Sequence, residues 1–277
     1  MNENSSAAKR DESGPVVAFF DVDGTLVARP PDAPGTEPTK RVASAVRAFA
    51  RAGGIPIIST GRALVGVTRL LELIPFCGCV TMDGAYVELD GRVVVDRSFP
   101  QPLLEQSVLE MQRLGMSAFF EGTEQCAEFS PSGSSLFGEA PLATCLEDLR
   151  AIKPDLRFGK IDFYGEDYDL YRKSDFLVRE LHYYDVGYGS HELVMPGVDK
   201  GTGARRLLAA LVNSGCVPAR VCAFGDSEND IPLFKVADVA VAMGQAAQSV
   251  RDVADIVAEA CERDGVAMAL ERLGLLG

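Results

Sequence analysis

What this chain has little of narrows its chemistry first. Only two histidines, His182 and His191, occur in 277 residues, which excludes a multi-histidine metallohydrolase. Seven cysteines are scattered at 77, 79, 126, 145, 216, 222 and 261, and only Cys77 and Cys79 lie close together. With no histidine beside them and no second pair, a zinc site is not expected. Such unpatterned thiols read as small apolar residues in a reducing compartment, and the expected location is cytoplasmic. No charge-free apolar run approaches the ~20 residues of a membrane helix. Positive charge is scarce: 27 Lys and Arg against 40 Asp and Glu give a formal net charge of −13. A surface of that sign disfavours nucleic acid and anionic membranes alike. The first 14 residues are polar and small, without the apolar stretch of an export signal, and are expected to form a flexible tail.

What is present is a globular chain with a real core, 47% apolar and 24% charged, long enough for one large or two moderate domains. The most informative segment is Asp21-Val22-Asp23-Gly24-Thr25, directly after the apolar run Val16–Phe20. A short apolar run ending in two carboxylates and a glycine reads as a buried parallel strand delivering acids to its carboxyl edge, where open α/β sheets bind ligands. Two carboxylates one residue apart repel unless a cation neutralises them, and together they can serve as nucleophile and proton carrier. Alone, the pentapeptide could equally be an acidic turn or part of a calcium loop.

Three further segments sharpen it. Ile55-Pro56-Ile57-Ile58 ends in Ser59-Thr60-Gly61-Arg62; Asp199-Lys200-Gly201 opens an amphipathic stretch with Leu207, Leu208 and Leu211; Val221–Phe224 ends in Gly225-Asp226-Ser227-Glu228-Asn229-Asp230. Each polar cluster lies where a strand ends or a helix begins, so a phosphate and a divalent metal could be held together there. Gly225–Asn229 lacks the final glycine of G-x-S-x-G and is not a serine-hydrolase elbow. In this ordered set the chain, from 15 to 277, resembles the haloacid dehalogenase (HAD) superfamily, specifically its Cof-like phosphatases with a large α/β cap between the second and third motifs.

The β-α-β-α-β pattern of residues 15–84 and the βα alternation of 192–277 predict a doubly wound parallel-sheet, Rossmann-like α/β core that is discontinuous in sequence. Between them, hairpins mixed with helices predict an inserted α+β cap at 85–191. Asp90-Gly91 marks a type I′ hairpin turn at its start, between Tyr86–Leu89 and Arg92–Asp96. Arg29–Gly35 reads as a Pro-rich loop, and 168–181 as one helix.

The resemblance implies a role for each motif residue. Asp21 would be the nucleophile that forms an aspartyl-phosphate, and Asp23 the acid and base; an acid at 23 favours phosphate-ester cleavage or transfer. Magnesium is the implied cofactor, held by the side chains of Asp21 and Asp226, the backbone carbonyl of Asp23 and, through water, Asp230. Thr60 and Lys200 would hold the phosphoryl group, with Gly61 beside them and Asn229 a further contact. A lysine in a first helical turn faces the positive end of the macrodipole, which a phosphoryl dianion would offset. Arg62 could reach substrate or brace its motif. Where Cof-like relatives carry Asn-Gly-Ala, this chain has Asp83-Gly84-Ala85; both Asp83 and Gly84 are candidate substrate contacts, and a carboxylate there would favour neutral, hydroxyl-rich leaving groups over anionic ones. The expected function is a magnesium-dependent phosphatase of a small phosphorylated metabolite, a sugar or polyol phosphate. The alternatives are a phosphosugar mutase of the phosphomannomutase kind and, from another class, a catalytically silent binding module. The expected partner is a small-molecule phosphate ester, with no nucleic acid and no membrane.

Overall fold

A computed structural model describes residues 14–29, 37–136, 138 and 140–277. All of the expected tail but Gly14, and all of the Pro-rich loop but Arg29, lie outside the described residues. Up to residue 96 the strands are β1 (Val16–Phe20), β2 (Ile55–Ser59), β3 (Gly78–Thr81), β4 (Tyr86–Leu89) and β5 (Arg92–Asp96). Six follow in the middle of the chain: β6 (Ala118–Glu121), β7 (Ala127–Phe129), β8 (Leu142–Ala143), β9 (Lys160–Tyr164), β10 (His182–Asp185) and β11 (Ser190–Val194). The last are β12 (Arg220–Gly225), β13 (Val239–Ala242) and β14 (Ile256–Val257).

The main sheet has the order β14-β13-β12-β1-β2-β3-β4-β5, parallel from β14 to β3. Connections run outward to one side from β1 and to the other from β12, so the strand order reverses between them and opens a crevice at their carboxyl ends. Both faces of β1 are buried, which is why its sequence is a continuous apolar run. Ala18 and Phe20 pack in one cluster with Val46 and Phe49 of α1 (Lys40–Arg51). Val17 and Phe19 pack in the other with Leu207 and Leu211 of a C-terminal helix at Lys200–Asn213.

The hairpin expected in the cap belongs to the main sheet. Asp90 and Gly91 take the positive φ of 49° and 71° that the sequence implies, but β4 pairs antiparallel with β3, Thr81 against Tyr86. The other boundary shifts as well, because β11, through Val194, pairs with β9 and β10 rather than with the core. Turn chemistry dictates that two strands pair with each other, not which sheet they extend.

The cap is a six-stranded sheet of order β10-β11-β9-β6-β7-β8, antiparallel except for β7 with β8. Leu104, Val108 and Met111 of α2 (Gln101–Leu114) share a cluster with Phe120, Ile161 and Leu193, so this sheet face is covered by helix. The alternate residues Glu121, Lys160, Asp162 and Glu192 stand on the opposite face, toward the core crevice, since side chains alternate along a strand. The single helix expected over 168–181 is two, Tyr168–Tyr171 and Asp175–Glu180, because Ser174 caps the second by accepting from the Leu177 N–H. Among the described residues no helix is long and apolar enough to cross a membrane.

Candidate active site

The site starts where β1 and β12 end side by side. The Asp21 N–H donates to the Phe224 carbonyl at 2.9 Å, extending the parallel pairing one residue past β1 and bringing Asp21 level with the end of β12. The chain then turns at Gly24, whose φ is +86°. A Cβ there would lie 2.1 Å from Asp226 Oδ2, so only glycine lets the two acidic loops approach. Gln245, which lies in none of the motifs, ties these loops together, donating to the Gly24 carbonyl and, at 3.3 Å, to Asp226 Oδ2.

Lys200 begins its helix because Asp199 caps it, accepting from the Thr202 N–H at 2.6 Å while the Thr202 hydroxyl takes the Asp199 N–H at 3.0 Å. The lysine is 1% exposed and its Nζ lies 2.7 Å from both Asp21 Oδ1 and Asp230 Oδ1. These two acids supply the negative charge that a lysine in a first helical turn requires. Burial alone would lower the Lys200 pKa, but Asp21 and Asp230 hold it well above its ordinary value. The other oxygen of Asp230 accepts from the N–H groups of Asp226 and Ser227, which fixes the loop after β12. Glu228 points outward and is exposed, as a solvated residue should be.

Asp21, Asp226 and Asp230 are buried, and each offers an oxygen within 4.8 Å of the others. Burial, with the charges of Asp230 and Asp226, holds Asp21 well above the usual carboxylate range against the pull of Lys200. Burial and the neighbouring Asp230 charge push Asp226 up to about 7. Three buried oxygen donors with one lysine between two of them are a set that a hard divalent cation would stabilise.

Asp23 and Arg62 both line the cavity and pair with each other. Arg62 Nε and Nη2 each donate at 2.7 Å to the two oxygens of Asp23. Burial would raise the Asp23 pKa, yet this bidentate pair brings it below its ordinary value. In this conformation Arg62 braces the first motif. Thr60 is buried and its hydroxyl accepts the Arg62 N–H at 3.2 Å, shaping the turn after β2. A Cβ on Gly61 would meet Glu192 Oε1 at 2.2 Å, so this glycine admits the cap wall to the site.

A cavity of about 140 Å³ lies between the two sheets. Asp21, Asp23, Thr60, Gly61, Arg62 and Asn229 line it from the core, joined by Arg29. Glu121, Lys160, Asp162, Tyr164 and Glu192 line it from the cap. Lys160 is 2% exposed and holds Glu192 at 2.8 Å, Asp162 at 2.9 Å and Glu121 at 3.3 Å. None of these cap residues is singled out by the motifs. The signal was the alternation Lys160-Ile161-Asp162-Phe163-Tyr164, polar on one face of a strand and apolar on the other.

Asp83 and Gly84, expected at the substrate, do not line this cavity. Asp83 is fully buried behind it, with φ +52°, and accepts from Asn229 Nδ2 at 3.1 Å. Burial and the nearby Glu192 charge push its pKa well up, so it is biased to the neutral acid rather than a carboxylate. Burial would raise Glu192 too, but Lys160 helps bring it down to about 2. Asn229 also donates to Glu192 Oε2, at 2.9 Å, and so joins the core loop to the cap. Gly84 serves packing: a Cβ there would lie 2.3 Å from the Asp199 carbonyl.

Comparison with known proteins identifies the family. Residues 18–270 match the model of the haloacid dehalogenase-like hydrolases. Over 275 residues the chain is 24% identical to YkrA of Bacillus subtilis, provisionally named a phosphatase, covering 93% of this chain and 97% of that one. It is 27% identical to a Streptococcus pyogenes protein provisionally named a bifunctional phosphatase and peptidyl-prolyl cis-trans isomerase, covering 94% of this chain but spanning only 54% of that relative's length. Among solved structures, BT1666 of Bacteroides thetaiotaomicron, described among HAD phosphatases, superposes with a TM-score of 0.77 at 21% identity, over 99% of this chain and 98% of that one. A HAD subclass IIB sugar phosphatase superposes with a TM-score of 0.74, also at 21% identity, over 94% and 99%. At that identity the structural likeness is one of fold; the motifs, the site they form and the family match together place this chain among the Cof-like haloacid dehalogenase-like hydrolases.

Proposed function

We propose that the chain is a magnesium-dependent phosphatase that hydrolyses a small sugar or polyol phosphate in the cytoplasm. The observation that carries this reading is the buried triad of Asp21, Asp226 and Asp230, whose Asp21 lines the same cavity as Thr60, Gly61 and Arg62. Magnesium would be held by Asp21 and Asp226 with the Asp23 carbonyl and, through water, Asp230, and when bound supplies charge that favours an ionised Asp21 and an electrophilic phosphorus.

In the first step an Asp21 carboxylate oxygen attacks phosphorus and the bond to the leaving oxygen breaks, giving an aspartyl-phosphate and an alcohol. The alcohol needs a proton, which Asp23 delivers from its protonated form. The salt bridge to Arg62 favours the ionised form, so Arg62 must turn away, toward the incoming phosphoryl group, for this half of the reaction. In the second half the Asp23 carboxylate takes a proton from water, the water oxygen attacks phosphorus and Asp21 is released. Lys200 and Thr60 orient the anion throughout.

Specificity rests with the cap wall rather than Asp83. Lys160 donates to Glu192 and lies within 3.3 Å of Asp162 and Glu121 as well, so its charge is already more than balanced and is not free for a second anionic group on the leaving group. The test is phosphate release by the full chain from p-nitrophenyl phosphate. Turnover should be lost in Asp21→Asn and on chelation of magnesium. Undiminished turnover in either case would overturn the reading, and turnover only with an added sugar bisphosphate would point to a mutase.

A further inference from the structure

The cavity is electrically lopsided. On the core side Arg62 is matched to Asp23, and Arg29 lies 5.4 Å over the Tyr188 ring and donates to the Val186 carbonyl at 3.4 Å. The cap side carries three carboxylates, Glu121, Asp162 and Glu192, against the single ammonium of Lys160. Its formal balance is two negative charges, shut away from water in a wall whose members are almost wholly buried. Charges in such surroundings are tolerated when paired, and Lys160 alone pairs one.

A second observation shows where the missing partner would sit. Glu121 is only 8% exposed, lines the cavity, and its Oε2 has no hydrogen-bond partner. No N–H or hydroxyl of the described residues reaches that oxygen, and the neighbouring Asp162 carboxyl can bond Glu121 only by carrying a proton, the place a cation would take. Burial and the Glu121 and Glu192 charges also push Asp162 well above the usual carboxylate range against the pull of Lys160, the response of a wall with too little positive charge. A hydroxyl could satisfy Glu121 Oε2 but would leave the charge uncorrected. An ammonium does both, with up to three N–H donors and one positive charge.

We propose that the acidic cap wall is a recognition site for a protonated amine, paired with Glu121 and Asp162, on the leaving group of the substrate. This rests on the phosphatase reading and narrows it: the substrates are phosphomonoesters of amino sugars or amino alcohols. The phosphate would lie against Asp21, Thr60 and Arg62, and the ammonium at the opposite wall.

Two matched pairs of esters test this: glucosamine 6-phosphate against glucose 6-phosphate, and O-phosphoethanolamine against 2-hydroxyethyl phosphate. Each pair differs in an ammonium for a hydroxyl. In the magnesium-loaded full chain the amine of at least one pair should have a kcat/KM about tenfold higher or more, and Glu121→Gln should bring that ratio toward one. If Glu121→Gln fails to fold, Asp162→Asn should shrink the same ratio. Calorimetry on Asp21→Asn, which cannot turn over, should show the same preference in Kd. Turnover of p-nitrophenyl phosphate with no amine preference in either pair would overturn the inference and leave the phosphatase reading standing. Absence of turnover of every ester would sink the phosphatase reading, and the Kd ratios would still decide whether the wall binds amines. A preference that survives both substitutions unchanged would mean that the amine is read elsewhere.

Discussion

The core and the cap each bury one lysine among carboxylates, the core behind Asp21 at the cavity and the cap in the cavity wall itself, and they differ in what completes them. On the core wall Lys200 bridges Asp21 and Asp230, with Asp226 close by. On the cap wall Lys160 faces Glu121, Asp162 and Glu192. Both hold two more acids than lysines. The core wall draws its acids from the ends of two parallel strands, on loops that glycine and capping contacts bring together, and its oxygens converge as a metal requires. The cap wall draws its acids from neighbouring strands of one antiparallel sheet, spread over a face. An excess of buried acid therefore means different things in the two places: convergent oxygens suit an inorganic cation, and a face suits an organic ligand.

The largest expected effect separates chemistry from recognition. Asp23→Asn should slow esters with alkoxide leaving groups by ~10²–10⁴-fold, and aryl phosphates, which leave with little protonation, much less. Steady-state rates on the two ester classes check this. Equal losses would mean that Asp23 serves only to hold Arg62.

The lysines test the comparison directly. Lys200→Met and Lys160→Met each strand buried carboxylates, and each should cost about 3–5 kcal/mol of stability. Magnesium should restore much of the loss in Lys200→Met, where the stranded acids converge, and little in Lys160→Met. Denaturant titrations with and without the ion measure both, and equal rescue would erase the distinction between the walls.

A smaller effect is the pH dependence of metal stabilisation. The folded Asp226 carboxyl stands at about 7 against an ordinary 3.8. A group raised on folding contributes stability that is full below its unfolded value and is lost as pH rises through the folded one. In the metal-free protein this contribution should fade between about 4 and 7, and a cation offsets the ionised form. The magnesium-induced rise in Tm should therefore be larger at pH 8 than at pH 6. A rise independent of pH would remove Asp226 from the metal set.

The smallest effect belongs to Asp83→Asn. The residue has φ +52°, a conformation that Asp and Asn both tolerate. Its acid is biased to the neutral form, so an amide can keep the contacts with Asn229 and Glu192. Stability should change by no more than about 1 kcal/mol, and the ratio of kcat/KM for a sugar monophosphate and bisphosphate should stay as in the parent. A changed ratio would put residue 83 back at the substrate.

The four motifs were legible because each is local. An apolar run followed by acids or a hydroxyl marks a strand end, Asp199-Lys200-Gly201-Thr202 carries its own cap, and Asp90-Gly91 its own turn. The parallel core and its carboxyl-edge site follow from the order of these elements. Tertiary structure alone decided that the hairpin extends the main sheet, that Arg62 braces Asp23, and that Asp83 is buried behind the cavity. It also gathered Glu121, Lys160, Asp162 and Glu192 on one wall. The physical reason is range: backbone preferences and capping act over a few residues, so sequence fixes what each strand end presents. Register between distant strands, and the burial that turns a surface acid into an unsatisfied one, exist only once the chain has packed.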